Sequence, residues 1–268
     1  MGEFSASVKQ NYWIQTWAKL GFVVGGCLYL IIGLLAVLVA YKNRGHIVGP
    51  EGAIQRIAEQ PYGEILLGVV AVGLFGYALW CFVQALLDTD QDGNDVKGIA
   101  VRIGEFCSGL AYVSLGLLAV HRMRGEPLGG NSARHWTAKM LAHGSGPWLI
   151  GLAGVTLAGV GLGLVIYAAR EGFRRYLRLE EVKGAAREWI IRLGKWGYIA
   201  LGVVFGLIGW FLVSAAVHSQ ANRVQGLDGA LRSLAQQSYG PWLLGIVAAG
   251  LAAYGAFMLM KARYRRLA

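Results

Sequence analysis

The stretch LLDTDQDGNDVKGI, residues 86–99, admits two readings that lead to different folds. Asp88, Asp90 and Asp92 alternate and are followed by Gly93. That is the first half of an EF-hand loop, where the acids ligate calcium and glycine permits a sharp turn. A loop begun at Asp88 needs a bidentate acid at its twelfth position, which here is Ile99, and its ninth is Val96. The rival reading is a polar joint between apolar helices, and the flanking sequence decides for it. Calcium ligation by Asp88, Asp90 and Asp92 is kept only as the weaker alternative.

On either side lie uncharged runs. Six occur in the chain, at 20–41, 65–87, 106–121, 140–169, 196–222 and 233–260. A helix needs roughly 20 predominantly apolar residues to cross the hydrocarbon core, so all but the third are long enough outright. The third spans if its helix starts near Val101 and lets Arg102, Glu105, Arg122 and Arg124 reach the headgroups. Of the 268 residues only 15% are charged, against about 25% in an average soluble domain. The expectation is an all-α polytopic membrane protein with six transmembrane helices.

The formal charge of +10 would point to nucleic acid in a soluble protein. Here its placement matters more. If the six spans alternate, 16 of the 25 Lys and Arg fall on the side of both termini and 9 on the other. The positive-inside rule then makes the termini cytoplasmic, in the bacterial plasma membrane or an internal membrane, and no nucleic-acid partner is expected.

The runs also repeat. Lys19-Leu20-Gly21, Arg102-Ile103-Gly104 and Arg192-Leu193-Gly194 open spans 1, 3 and 5, each with a further glycine twelve residues on, at Gly33, Gly116 and Gly206. Tyr62-Gly63, Ser145-Gly146 and Tyr239-Gly240 open spans 2, 4 and 6, and five residues later come Gly68, Gly151 and Gly245. Glu51-Gly52-Ala53-Ile54 and Asp228-Gly229-Ala230-Leu231 precede spans 2 and 6 at equal distance and read as short interfacial helices with an acid in the first turn. The middle repeat has Arg134 where that acid stands.

The chain therefore divides into an N-terminal segment 1–16, a hairpin 17–88, a linker 89–100, a hairpin 101–170, a basic linker 171–189 and a hairpin with basic terminus 190–268, with a pseudo-threefold arrangement. These triplets, Gly33-Leu34-Leu35-Ala36, Gly116-Leu117-Leu118-Ala119 and the stretch Tyr77 to Asp88 resemble the bacterial domain-of-unknown-function family 1206. The resemblance implies three two-helix repeats from Trp17 onward and no established activity.

Glycine numbers 40, about twice its usual frequency. Gly21, Gly25, Gly33, Gly104, Gly116, Gly194, Gly202 and Gly206, with the Gly159/Gly163 pair, are candidate helix-packing positions, because small residues let helix backbones approach in lipid. Asp88 and Glu171 each stand 25 residues after the glycine that opens their even span. They are expected to pair with Lys19, Arg102 or Arg192 at the cytoplasmic rim. Arg174, Arg175, Arg178 and Lys183, interleaved with Phe173, Tyr176 and Leu177, read as a basic amphipathic helix meeting anionic lipid headgroups.

Chemistry is sparse. No charge falls in the middle third of a span, and Ser108, Ser114 and Thr156 lack a base at a recognisable spacing. His121 and His218 sit at span ends, a poor place for haem ligands. Cys27, Cys81 and Cys107 form no Cys-x-x-Cys pair. No cofactor, metal or catalytic residue is expected. The expected role is non-enzymatic, through contact with lipids, with another membrane protein or with further copies of the chain. A small-solute channel between the repeats is the alternative.

Overall fold

The computed structural model describes residues 12–42, 47, 49–87, 96–125, 139–140, 146–178, 180, 182, 184–220 and 223–264. Among the described residues eight α-helices follow in order: α1 Tyr12–Lys42, α2 Pro50–Ala58, α3 Gly63–Leu87, α4 Val96–Met123, α5 Gly146–Ala169, α6 Ala185–His218, α7 Leu227–Ala235 and α8 Gly240–Tyr264. Spans 1 to 6 are α1, α3, α4, α5, α6 and α8, and all six contain stretches long and apolar enough to cross a membrane. Span 3 begins its helix at Val96, five residues before its apolar stretch. The chain is a multi-pass, all-α membrane protein.

The two short helices explain how spans 2 and 6 start. Each follows an extended glycine, Gly49 or Gly226, and carries an acid in its first turn, Glu51 or Asp228, where the helix dipole favours negative charge. Ala53, Ile54, Ala230 and Leu231 are fully buried, so α2 and α7 are wedged into the bundle's far end rather than resting on lipid. Their N-termini meet. A Cβ on Gly49 would contact the Asp228 backbone, and Arg232 donates to the Ile47 carbonyl at 3.4 Å.

Going round the bundle, span 1 packs on span 2, span 2 on span 3, span 4 on span 5, span 5 on span 6, and span 6 on span 1. That is a threefold ring of hairpins with one seam left out. Spans 3 and 4, the two arms of the second hairpin, do not pack along each other, and they are the least buried of the six.

The most extensive seams join different repeats: spans 4 and 5, 6 and 1, 2 and 3. At the first two the backbones nearly touch. A Cβ on Gly33 would stand 2.5 Å from the Ala252 nitrogen, one on Gly26 2.8 Å from the Gly255 carbonyl, and one on Gly202 2.6 Å from the Gly161 carbonyl. Such approach recovers the dispersion contact on which helix association in lipid depends.

The open seam is also written in the glycines. Gly21 lies against the Tyr77 backbone of span 2 and Gly194 against Phe257 of span 6, contacts within hairpins. Their counterpart Gly104 meets nothing within 4 Å. On the even spans, Gly73 faces Val24 and Gly250 faces Ala200, whereas the corresponding position of span 4 is an exposed Thr156.

Candidate functional site

One tyrosine from every span enters a single aromatic column through the middle of the bundle. Tyr77 meets Tyr112 edge-on at 4.6 Å between centroids, and Tyr112 neighbours Tyr29. Tyr29 then meets Tyr254 at 5.0 Å, Tyr254 meets Tyr198 at 5.2 Å, and Tyr198 meets Tyr167 at 5.3 Å. All three of these contacts are edge-to-face, the arrangement the ring quadrupole prefers.

Glycines make room for the column. Gly21 faces the turn of span 2 that carries Tyr77, and a Cβ on Gly197 would stand 2.6 Å from the Tyr254 Cα. Near the end where the odd spans begin, Phe22, Phe173 and Phe257 extend the column, with Phe173 stacked on Tyr198 at 5.7 Å and edge-on to Phe257 at 5.2 Å. Lys261 closes it. Its Nζ lies 3.5 Å from the Tyr198 hydroxyl and 4.9 Å over the Phe22 ring, tying spans 6, 5 and 1 together.

The column is absent from the sequence reading above, yet its signal is in the chain. Tyr29 and Tyr112 each stand eight residues after the triplet glycine, and Tyr77 and Tyr254 fourteen after the glycine opening their spans. Tyr167 and Tyr198 break that register, at the one seam joining repeats 2 and 3.

The rim differs from expectation. Asp88, Asp90 and Asp92 lie outside the described residues. Glu171 bonds Arg174 at 2.7 Å within its own linker, and Arg192 approaches Glu188 one turn back at 3.4 Å. The expected pairing of Glu171 with Lys19, Arg102 or Arg192 is therefore corrected. Glu171 is held at a left-handed turn that points its carboxylate along the linker. Arg102 serves the joint in another way. Its guanidinium donates to the carbonyls of Ala85 at 2.7 Å and Leu86 at 3.2 Å, capping the last turn of span 2.

Nor do the described residues 172–178 of the basic linker form an amphipathic α-helix. Gly172–Tyr176 form one 3-10 turn, Leu177 is extended, and the Arg178 amide donates to the Tyr264 carbonyl at 2.8 Å. Phe173, Leu177 and Val182 are buried, so the apolar side of this segment goes into the bundle. Arg174 and Arg178 stay exposed; the side chains of Arg175 and Lys183 are outside the described residues.

Of the packing glycines, Gly25 faces the flexible end of Met258 and Gly116 the Phe75 ring, while Gly206, like Gly159 and Gly163, has nothing within 4 Å of a Cβ placed on it. Gly206 nonetheless admits its neighbour, because a Cβ on Gly161 would stand 2.7 Å from its nitrogen. Gln84 is buried in span 2, and Cys27 and Cys107 are exposed. His121 and His218 each hold a carbonyl four residues back at 2.8 Å. Ser108, Ser114 and Thr156 do the same with their hydroxyls. Among the described residues no three His, Cys, Asp or Glu side chains converge as a metal site.

The family model described as Domain of Unknown Function (DUF1206) matches three times, at residues 20–88, 103–171 and 196–265. A Bacillus subtilis (strain 168) protein carrying the name Uncharacterized protein YxxB is 32% identical over 266 residues, 98% of this chain and 96% of its own. No solved structure matches the chain. Each family match takes in one odd span and the even span that follows it, and on that ground the chain belongs to the DUF1206 family.

Proposed function

We propose that the protein is non-enzymatic and works by contact, its basic rim meeting anionic lipid headgroups and its bundle docking a membrane-protein partner. It resides in the bacterial plasma membrane or an internal membrane, with both termini and the basic linker cytoplasmic. The observation that carries this reading is the filled interior. Tyrosine rings occupy the middle of the bundle and glycine seams bring the backbones together. The hydroxyls within the spans satisfy carbonyls of their own helices, an arrangement that serves packing rather than nucleophilic chemistry.

At the rim, Arg170, Arg174, Arg178, Arg187 and Arg192 are exposed beside the exposed Trp189 and Trp196. Each Lys or Arg near an anionic surface contributes about 1 kcal/mol. The protein is therefore expected to melt higher in nanodiscs with anionic lipid than in zwitterionic ones, and Arg174→Gln/Arg178→Gln/Arg187→Gln should remove most of that difference. A rise that survives the triple substitution refutes the lipid reading. Flux of small ions or glycerol through reconstituted liposomes, above that of empty ones, would replace it with the small-solute channel.

A further inference from the structure

We infer that the start of α6 carries a docking site for the headgroup of one anionic phospholipid, its phosphate taken by Arg192 between the exposed indoles of Trp189 and Trp196. This deepens the lipid part of the reading above and rests on it in taking the end where the odd spans begin as the face that meets anionic lipid.

The first ground is the fate of one sequence position in the three repeats. The basic residue of the triplet is Lys19, Arg102 or Arg192. Arg102 is turned inward, onto the carbonyls of Ala85 and Leu86. Arg192 is exposed instead, on one stripe of α6 with Trp189 three residues before it and Trp196 four after, which are 61% and 59% exposed. Lys19 is exposed as well, but its flanking positions hold Thr16 and Val23, and those of Arg102 hold Ile99 and Phe106. At these positions only the third copy sets a guanidinium between two indoles.

The second ground is depth. The apolar stretches of spans 1 and 3 begin at Lys19 and Val101, beside their triplets, so Arg192 marks the corresponding level on span 5. The helix itself begins seven residues earlier, at Ala185, about 10 Å further out at 1.5 Å per residue. The headgroup layer is roughly 5–7 Å deep on each side of the hydrocarbon core. The start of α6 therefore crosses the whole layer, with Trp196 on the core side of Arg192 and Trp189 on the aqueous side.

The third ground is chemistry. The Arg192 Cζ stands 6.0 Å over the Trp189 ring. A guanidinium stacked on an aromatic face keeps its planar fork of N–H donors for a phosphate. Its contact with Glu188, at 3.4 Å between side chains 65% and 72% exposed, is one that solvent screens to little. A phosphate can therefore take over those donors. Lys195, three residues on and half-buried, adds a second cation as a neighbour on the helix surface. The indoles supply what a lipid needs beyond charge, since tryptophan seats at the level where headgroup meets acyl chain.

Phosphatidylglycerol titrated into the full chain in mild detergent, and counted by native mass spectrometry, reads the site. The unmodified chain should bind a first phosphatidylglycerol ahead of any others and ahead of phosphatidylcholine. Arg192→Gln should weaken that first binding about tenfold, the loss of one charge-assisted contact. Trp189→Leu should weaken it roughly threefold, through the lost cation–π contact. Lys19→Gln removes an equal charge at the same level and should change it by less than about twofold, as expected of exposed charge without a site. All three side-chain positions are exposed or solvent-facing, so melting in zwitterionic nanodiscs should stay at the parent value. Uptake with no distinguished first lipid overturns the proposal, as does equal weakening by Arg192→Gln and Lys19→Gln. First binding indifferent to Arg192→Gln or to Trp189→Leu also overturns it, and so does equal uptake of phosphatidylcholine. The melting test above changes Arg174, Arg178 and Arg187, none of which belongs to this site. An anionic-lipid melting shift that the triple substitution abolishes, with first binding indifferent to Arg192→Gln, supports the lipid reading and removes this site from it.

Discussion

A glycine in this bundle is replaceable or not according to what stands over its Cα. Gly33 and Gly104 occupy similar sequence settings, each on an odd span beside aliphatic residues, but Gly33 lies against the backbone of Ala248 and Ala252 while Gly104 faces open space. Gly33→Ala is expected to destabilise by about 1–3 kcal/mol, since backbone cannot move aside as a flexible side chain can. Gly104→Ala should be neutral or slightly stabilising, given alanine's better helix propensity of up to about 1 kcal/mol. Thermal unfolding in one detergent checks both, and equal effects would refute the seam assignment. Spacing alone could place these glycines on helices, but it could not say which of them face a backbone. That depends on the neighbour, and the neighbour of Gly104 is missing.

Among the elements, the spans were the legible part, because length and absence of charge are read directly against bilayer thickness. The joints were not. The basic linker alternates Arg with Phe, Tyr and Leu, and the same pattern suits a helix on lipid and a segment tucked beneath a bundle. Phe173 took the second course because Gly194 leaves room for its ring beside Phe257. The tyrosine column escaped for a related reason: tyrosine in a membrane protein is usually an interfacial anchor, and only the repeat register of Tyr29 with Tyr112 and of Tyr77 with Tyr254 marks it as interior. At the joint between the first two hairpins, Arg102 caps span 2 through two carbonyls. Arg102→Ala should therefore cost about 1–3 kcal/mol, with Arg102→Lys recovering part of it, since charge-assisted bonds to a half-buried guanidinium exceed ordinary ones. Substituting Asp90 and Asp92 by Asn should leave melting unchanged with or without calcium, and a calcium-dependent rise lost on that substitution would restore the ion-binding reading of the 86–99 stretch.

For the whole molecule, repeats in sequence and units of packing are out of step. The three family matches each take an odd span and the next even one, but the most extensive packing pairs an even span with the following odd one, and span 6 with span 1. The chain's first and last helices thus form one antiparallel pair. Gly26 lies against Gly255 and Gly33 against Ala252, which brings the start of α1 alongside the end of α8 at the same end of the bundle. A circular permutant follows from this geometry. Joining the termini with a flexible Gly/Ser linker and opening the chain between spans 3 and 4 breaks no packed seam, since those two helices do not pack along each other. Such a permutant should fold, insert six spans and melt within about 5 °C of the parent, as expected where termini are near and the new ends fall outside packed elements. Truncation before Gly240 is the opposite case, because α8 packs on spans 1 and 5 and on α7. That chain should fail to yield a monodisperse species in detergent. A permutant that misfolds while the truncated chain remains folded would show that the hairpin, not the seam between repeats, is the unit that holds this protein together.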